Sequence, residues 1–346
     1  MLVSAEGLFY LVGALLAERL AGKFGRRRTL LWLQGLLVLV TAAAWIWPVE
    51  KLIIAVLLIY TIISAAGWPI FESLIAAGAD ATALSRRMGV YNLIWSAAGT
   101  LMLAVSGSII DHFPWGMFFI PMAAHVAAVG LMSARIIEPA KSITPSPPHP
   151  LTHSSSRLAL ILSRIALPAA YTVVYSLVAL MPSLRVIQSF SLASQTVVAS
   201  IWMGARFVAF IVLGATGWWH TRPRLLLVAS IAMMAAFCGV TLTGSGSGAV
   251  TMADQIGMIG WQILLGVSMG VIYTASLYFG MVLSAGSTEH GGYHEALIGV
   301  GQVVGPAAAL IADRMYPGQT APAVLAVAGL LLVSVVAAAA VTLRSE

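Results

Sequence analysis

Eleven long apolar runs, separated by short polar breaks, leave this chain few ways to fold. They cover residues 2–21, 29–47, 52–79, 88–110, 115–137, 158–183, 195–217, 223–243, 254–283, 293–316 and 321–343. At 1.5 Å of rise per residue, a helix of about 18 or more residues crosses a hydrocarbon core of roughly 30 Å. The runs lack the polar and apolar alternation of a membrane barrel strand, and a helix satisfies its own backbone in lipid, so helices are predicted throughout. With 60% hydrophobic and 9% charged residues, the chain is too apolar for one or two soluble domains. The expectation is an all-α polytopic membrane protein whose surroundings are the lipid bilayer.

The breaks between runs set the orientation. Gly22 to Arg28 forms a basic turn, with Lys23, Arg26, Arg27 and Arg28 wedged between the first two runs. Fourteen Lys and Arg residues fall on the side of this turn, against Lys51, Arg185 and Arg314 on the other. That asymmetry predicts a multi-pass protein of the cell membrane with the basic turn and the C-terminus cytoplasmic and the N-terminus outside. The net charge of +6 is scattered between apolar runs and forms no solvated basic face, so no nucleic-acid partner is expected.

The opening run has no basic n-region, carries Glu6 and ends in the basic cluster, which makes it a span and not a secretory signal. Cys238, the one cysteine, lies in an apolar run and supplies neither a disulfide framework nor zinc-ligand spacing. Residues 138–157, with five prolines and Ser154 to Ser156, read as a cytoplasmic linker. His149 and His153 within it lack acidic or cysteine neighbours and read as solvated side chains, not as a metal pair.

The sequence also repeats. Gly89, Tyr91, Gly99, Ile109 and Asp111 match Gly291, Tyr293, Gly301, Ile311 and Asp313 at a constant offset of 202. Gly67, Ser73 and Leu74 match Gly270, Ser276 and Leu277 at 203, and Arg26, Arg28, Leu30 and Leu31 match Arg222, Arg224, Leu226 and Leu227 at 196. Ordered matches at nearly one offset predict two homologous halves in parallel, 1–137 with five helices and 158–346 with six. The span 158–183 has no counterpart in the first half, which looks one helix short.

These features together resemble the major facilitator superfamily (MFS), whose members have two six-helix halves. In the family's signature loop, Lys23, Gly25, Arg27 and Arg28 fit the pattern, while Gly22 stands where the family places Asp and Glu18 stands at the leading Gly. Gly301-Gln302-Val303-Val304-Gly305-Pro306 is similar to the family's Gly-Pro motif. In the first half Gly99 and Gly107 remain without the Pro, which weakens an antiporter reading. The resemblance implies an MFS-type bundle with 11 helices and secondary transport of a small molecule by alternating access around a midplane site.

Charged residues inside spans are costly and mark candidate sites. Arg206 is central in the span 195–217, with Trp202 one turn earlier on the same face; it suits a substrate carboxylate or phosphate, or a buried ion pair. Glu72 follows Gly67-Trp68-Pro69 and suits proton coupling or an interhelical hydrogen bond. His125, mid-span, suits a proton relay or a structural hydrogen bond, and Glu6 reaches toward water. Trp68, Tyr171, Tyr175, Trp261, Gln262 and Tyr273 come from spans that the resemblance places around the cavity, with packing as the alternative. Glu295, just after Tyr293 and His294, reads as favouring a helix N-terminus or as part of a gate against the basic turn.

No nucleotide loop, catalytic spacing or metal-ligand set occurs, so no enzyme activity, cofactor or metal is expected. The expectation is a monomeric secondary transporter with a small-molecule substrate, with proton coupling through Glu72 and His125. The alternative is a transport-inactive receptor, scaffold or truncated remnant on the same fold.

Overall fold

The computed structural model describes residues 2–135, 153–246, 248–317 and 319–345. The chain is helical: α1 Leu2–Phe24, α2 Arg26–Ile46, α3 Glu50–Ala76, α4 Ala81–His112, α5 Gly116–Arg135 and α6 His153–Leu180, then the short α7 Arg185–Gln188. There follow α8 Leu192–Ala199, α9 Ile201–Ala215, α10 Leu225–Leu242, α11 Met252–Ser284, α12 Thr288–Met315 and α13 Thr320–Arg344. Among the described residues there is no strand.

Among the described residues ten helical segments are long and apolar enough to cross a membrane, α8 and α9 acting together as one of them. The expected eleventh, α1, has the length at 23 residues but carries Glu6, Glu18, Arg19 and Lys23, and its composition sets it apart from the ten. Glu18, Arg19 and Lys23 lie on its exposed side, and Glu6 is half-buried. Gly7, Gly13, Ala14, Ala17 and Ala21 are buried, and the helix lies against α3 and α12, enclosed by protein along one side. Most of the expected linker, including His149, lies outside the described residues; its last five positions, 153–157, are helical because α6 begins at His153.

Local chemistry places the helix ends. Gly25 adopts a φ of 82°, a left-handed value that costs glycine little, and so lets α1 turn sharply into α2 at the basic turn. Asp80 caps α4 by accepting from the Ala83 amide at 2.8 Å. Thr251 and Asp254 cap α11 reciprocally, the Asp254 amide donating to Thr251 and the Thr251 amide to Asp254. Ser287 accepts from the Glu289 amide at 3.1 Å and starts α12 five residues before the position expected from hydropathy.

Two main cores result among the described residues. A smaller one joins α1, α2, α3 and α5 through Ala17, Leu30, Leu37, Ala66, Ile70 and Met132. The larger one is built on α6, α9, α10 and α11, and takes in Leu84 and Met88 of α4. Helix α4 packs on α8 and α9 far more closely than on α3 or α5, and α1 and α3 pack on α12, so the regions before and after the linker are joined along two seams. Backbone approach along one seam is close: a Cβ on Gly89 of α4 would sit 2.8 Å from the Cα of Gly214 on α9. Only hydrogen at both positions permits that crossing.

Candidate substrate cavity

Between the two seams, seven helices line a cavity of about 370 Å³. Its wall is mainly aromatic: Tyr10 from α1, Trp68 from α3, Tyr91 and Trp95 from α4, Tyr171 and Tyr175 from α6, Trp202 from α9 and Tyr273 from α11. The rings contact one another edge to face or tilted, with Trp95 5.2 Å from Tyr273, Tyr171 6.4 Å from Tyr273 and Trp68 6.3 Å from Tyr91 between centroids. Such arrangements put the positive edge of one ring near the negative face of the next. They also give the cavity flat, rigid walls.

Two ionisable groups face into it from different sides. Arg206, on α9, is 3% exposed and sits with its guanidinium 4.6 Å from the Trp95 ring centre and 5.0 Å from that of Trp202. Its Nε has no hydrogen-bond partner, and Tyr171, Tyr175 and Tyr273 are its polar neighbours. The helix is pressed against α11 at Gly266, where a Cβ would fall 2.1 Å from the Trp202 carbonyl oxygen. Glu295, on α12, is 2% exposed and accepts a hydrogen bond from the Tyr10 hydroxyl.

Behind Glu295 lies Glu72 of α3. A carboxylate oxygen of each and one ring nitrogen of His294 lie within 4.8 Å of one another, and all three residues are buried. Gly291 allows this, since a Cβ there would meet Glu72 Oε2 at 3.0 Å. His294 Nδ1 is 2.9 Å from Ser276 Oγ, and its Nε2 has no partner. Both Glu72 oxygens are unpartnered if the carboxyls are ionised, whereas one proton between Glu72 and Glu295 satisfies both groups and removes one buried charge. The same oxygens and nitrogen are a donor set of the type that holds a divalent cation.

A second space, a groove of about 1060 Å³ between α3 and α4, is lined by Phe71, Leu74, Ile75, Val90 and Ile94, with Arg86 and Arg87 among its polar lining. Trp68, Tyr91 and Trp95 line both spaces, so these rings form the wall between groove and cavity.

Of the residues expected from sequence to line a cavity, Trp68, Tyr171, Tyr175, Arg206 and Tyr273 do so. Glu72 lies one layer behind. Gln262 is fully buried on α11 with neither amide atom partnered, but it is not part of the wall. Trp261 is turned away: it is 36% exposed, and its ring covers Gly239 of α10, whose Cβ position is 2.1 Å from the indole. His125 is also placed elsewhere. Its Nδ1 is 2.7 Å from Gln34 Oε1 and its Nε2 3.1 Å from the Tyr60 hydroxyl, which ties α5 to α2 and α3. In the basic turn, Arg27 donates to the Ser133 carbonyl at 2.9 Å, Lys23 covers the Phe24 ring and Arg28 is exposed.

Glu295 is the main residue that sequence reasoning misplaced. Read as the first turn of a span beginning at 293, it belongs to a helix terminus; with α12 starting at Thr288 it lies two turns inside. The Ser287 cap was the available signal. Tyr10, Tyr91 and Trp95 were also not singled out for the cavity, because no charge or motif distinguishes them from packing aromatics.

A family model described as Major Facilitator Superfamily matches residues 1–306. Among solved structures, the human organic anion transporter MFSD10 (TETRAN) is similar with a TM-score of 0.71 at 17% identity, over 97% of this chain and 83% of that one. FucP, an MFS transporter in the outward conformation, is similar with a TM-score of 0.60 at 14% identity, over 98% of this chain and 89% of that one. No curated protein sequence matches the chain.

Proposed function

The chain belongs to the major facilitator superfamily, and we propose that it is a secondary active transporter that moves a small molecule by alternating access, with proton coupling at Glu72 and Glu295. The observation that carries the reading is the shared ownership of the cavity. Tyr10, Trp68 and Trp95 come from before the linker and Arg206, Tyr273 and Glu295 from after it, so relative rotation of the two regions opens and closes the same space. Residues 1–137 and 158–346 are the two moving bodies in this proposal, with the basic turn and the C-terminus facing the cytoplasm.

The carboxyl pair is the better coupling candidate than His125, which is already held from both ring nitrogens outside the cavity. Glu72 and Glu295 sit on opposite sides of the moving boundary, so their protonation is linked to its closure.

Proteoliposomes loaded with a pH-sensitive dye test this. Sugars, amino acids, organic anions and cationic amines are added outside in turn. One class is expected to change the lumenal pH, and Glu72→Gln and Glu295→Gln are expected to abolish that change. Solute flux that continues unaltered after the proton gradient is collapsed would remove the coupling, and absence of flux for every class would count against transport.

A further inference from the structure

Arg206 poses a charge problem that the protein itself does not solve. A guanidinium buried within a membrane-spanning bundle ordinarily has an acidic partner, because a lone desolvated charge is expensive. Among the described residues Arg206 has ring faces and phenols around it and no ion pair. The rings of Trp95 and Trp202 stabilise the cation, but they leave its N–H donors without an acceptor of opposite charge.

We propose that the cavity selects a planar aromatic monoanion, with the carboxylate on Arg206 and the ring among Tyr171, Tyr175 and Tyr273. This assignment rests on reading the cavity as the substrate site. Three observations fix the class. The unpaired guanidinium calls for an anion, and its planar donor fork matches a carboxylate. The flat aromatic wall favours a ring over an alkyl chain, and a volume of about 370 Å³ is near the lower end of the range typical of ligand pockets, enough for one or two rings. Finally, the other charged feature of the wall is Glu295 with Glu72 behind it, so a second negative charge on the ligand is directed at carboxyl groups.

The test uses the full-length protein, purified in detergent, and isothermal titration with four compounds. Benzoate carries ring and charge, cyclohexanecarboxylate keeps the charge without the flat ring, terephthalate adds a second charge at the far end of the ring, and benzylamine inverts the sign. Benzoate is expected to bind at least tenfold more tightly than cyclohexanecarboxylate or terephthalate, with no binding of benzylamine. Arg206→Gln is expected to lose benzoate binding, and Arg206→Lys to retain part of it through charge without the planar fork. If Arg206→Gln does not fold, Trp95→Leu serves instead, weakening benzoate more than cyclohexanecarboxylate.

Equal affinity for benzoate and cyclohexanecarboxylate, tighter binding of terephthalate or benzylamine, or benzoate binding unchanged by Arg206→Gln would overturn the assignment. Measuring benzoate flux in proteoliposomes separates the two proposals. Benzoate binding together with absence of flux for benzoate and every other class counts against transport and supports the ligand class; flux of other solutes without benzoate binding does the reverse.

Discussion

Replacing Gly266 by alanine should destabilise the protein, whereas the same replacement at Gly280 in the same helix should stabilise it. In an unobstructed helix, Gly→Ala gains up to about 1 kcal/mol through backbone entropy and helix propensity. Nothing lies within 4 Å of a Cβ at Gly280, so that gain is expected there in full. At Gly266 the new methyl would stand 2.1 Å from the Trp202 carbonyl oxygen and 2.8 Å from the Arg206 amide nitrogen. Both atoms are backbone, so no side chain can rotate away and α9 must move from α11. Overpacking of this kind costs about 1–3 kcal/mol, which outweighs the propensity gain. The net expectation is a loss of about 1–2 kcal/mol for Gly266→Ala, read by equilibrium unfolding in mixed micelles of increasing denaturing-detergent fraction. Because the displaced backbone carries Arg206, benzoate affinity should fall as well. Two variants shifting stability in the same direction by similar amounts would refute the argument that close backbone approach, and not propensity, governs this helix pair.

Removing the hydroxyl with Tyr10→Phe should leave the protein folded but alter the pH profile of transport, since Tyr10 donates to Glu295 and not to any main-chain group; an unchanged profile argues against the carboxyl pair as the coupling site. His125→Leu should cost stability, about 1–3 kcal/mol for leaving Gln34 and Tyr60 unpartnered, with solute flux per folded molecule unchanged, which a stability titration and a flux assay read separately. Thr251→Ala removes one side of the α11 capping box and should cost about 1 kcal/mol in the same unfolding titration, without effect on benzoate binding.

Hydropathy carried most of the fold because each crossing helix must be apolar over its length, and that constraint is local. At α1 the apolar run also carries Glu6, Glu18, Arg19 and Lys23, and what sets this helix apart is the row of small residues it buries against α3 and α12, a fact of tertiary packing. The cavity was legible to the same degree. Arg206 stood out because a charge in a span is conspicuous, but its lack of an acidic partner depends on six other helices. Within α11, Gln262 and Tyr273 are 11 residues apart, about three turns, and so share a buried face, while Trp261 is about 100° further round and reaches the outside. Periodicity separates these neighbours only after one face has been anchored. His125 illustrates the opposite limit: its two partners are 91 and 65 residues away, and no spacing announces them.

The carboxyl pair gives the proposed cycle a physical cause. With one proton between them, Glu72 of α3 and Glu295 of α12 share a hydrogen bond across the boundary between the two regions, and they hold it closed. Without that proton, two like charges no more than 4.8 Å apart repel by about 3.5 kcal/mol at an effective dielectric constant of 20, which corresponds to a change of a few hundredfold in an equilibrium. In the proposed cycle, deprotonation therefore pushes α3 and α12 apart at this point. An anion on Arg206 acts in the same space, lying on the same wall as Glu295, and its negative charge raises the cost of ionising the pair. Binding of the anion and retention of the proton thus favour each other through charge alone, which predicts that proton and anion travel in the same direction. Benzoate affinity that rises as pH falls, in a range where benzoate itself remains ionised, is the expected sign of that linkage. The slope should move to lower pH in Glu72→Gln, where Glu295 titrates without a like charge beside it, and vanish in the Glu72→Gln/Glu295→Gln double variant, which leaves neither carboxyl to titrate.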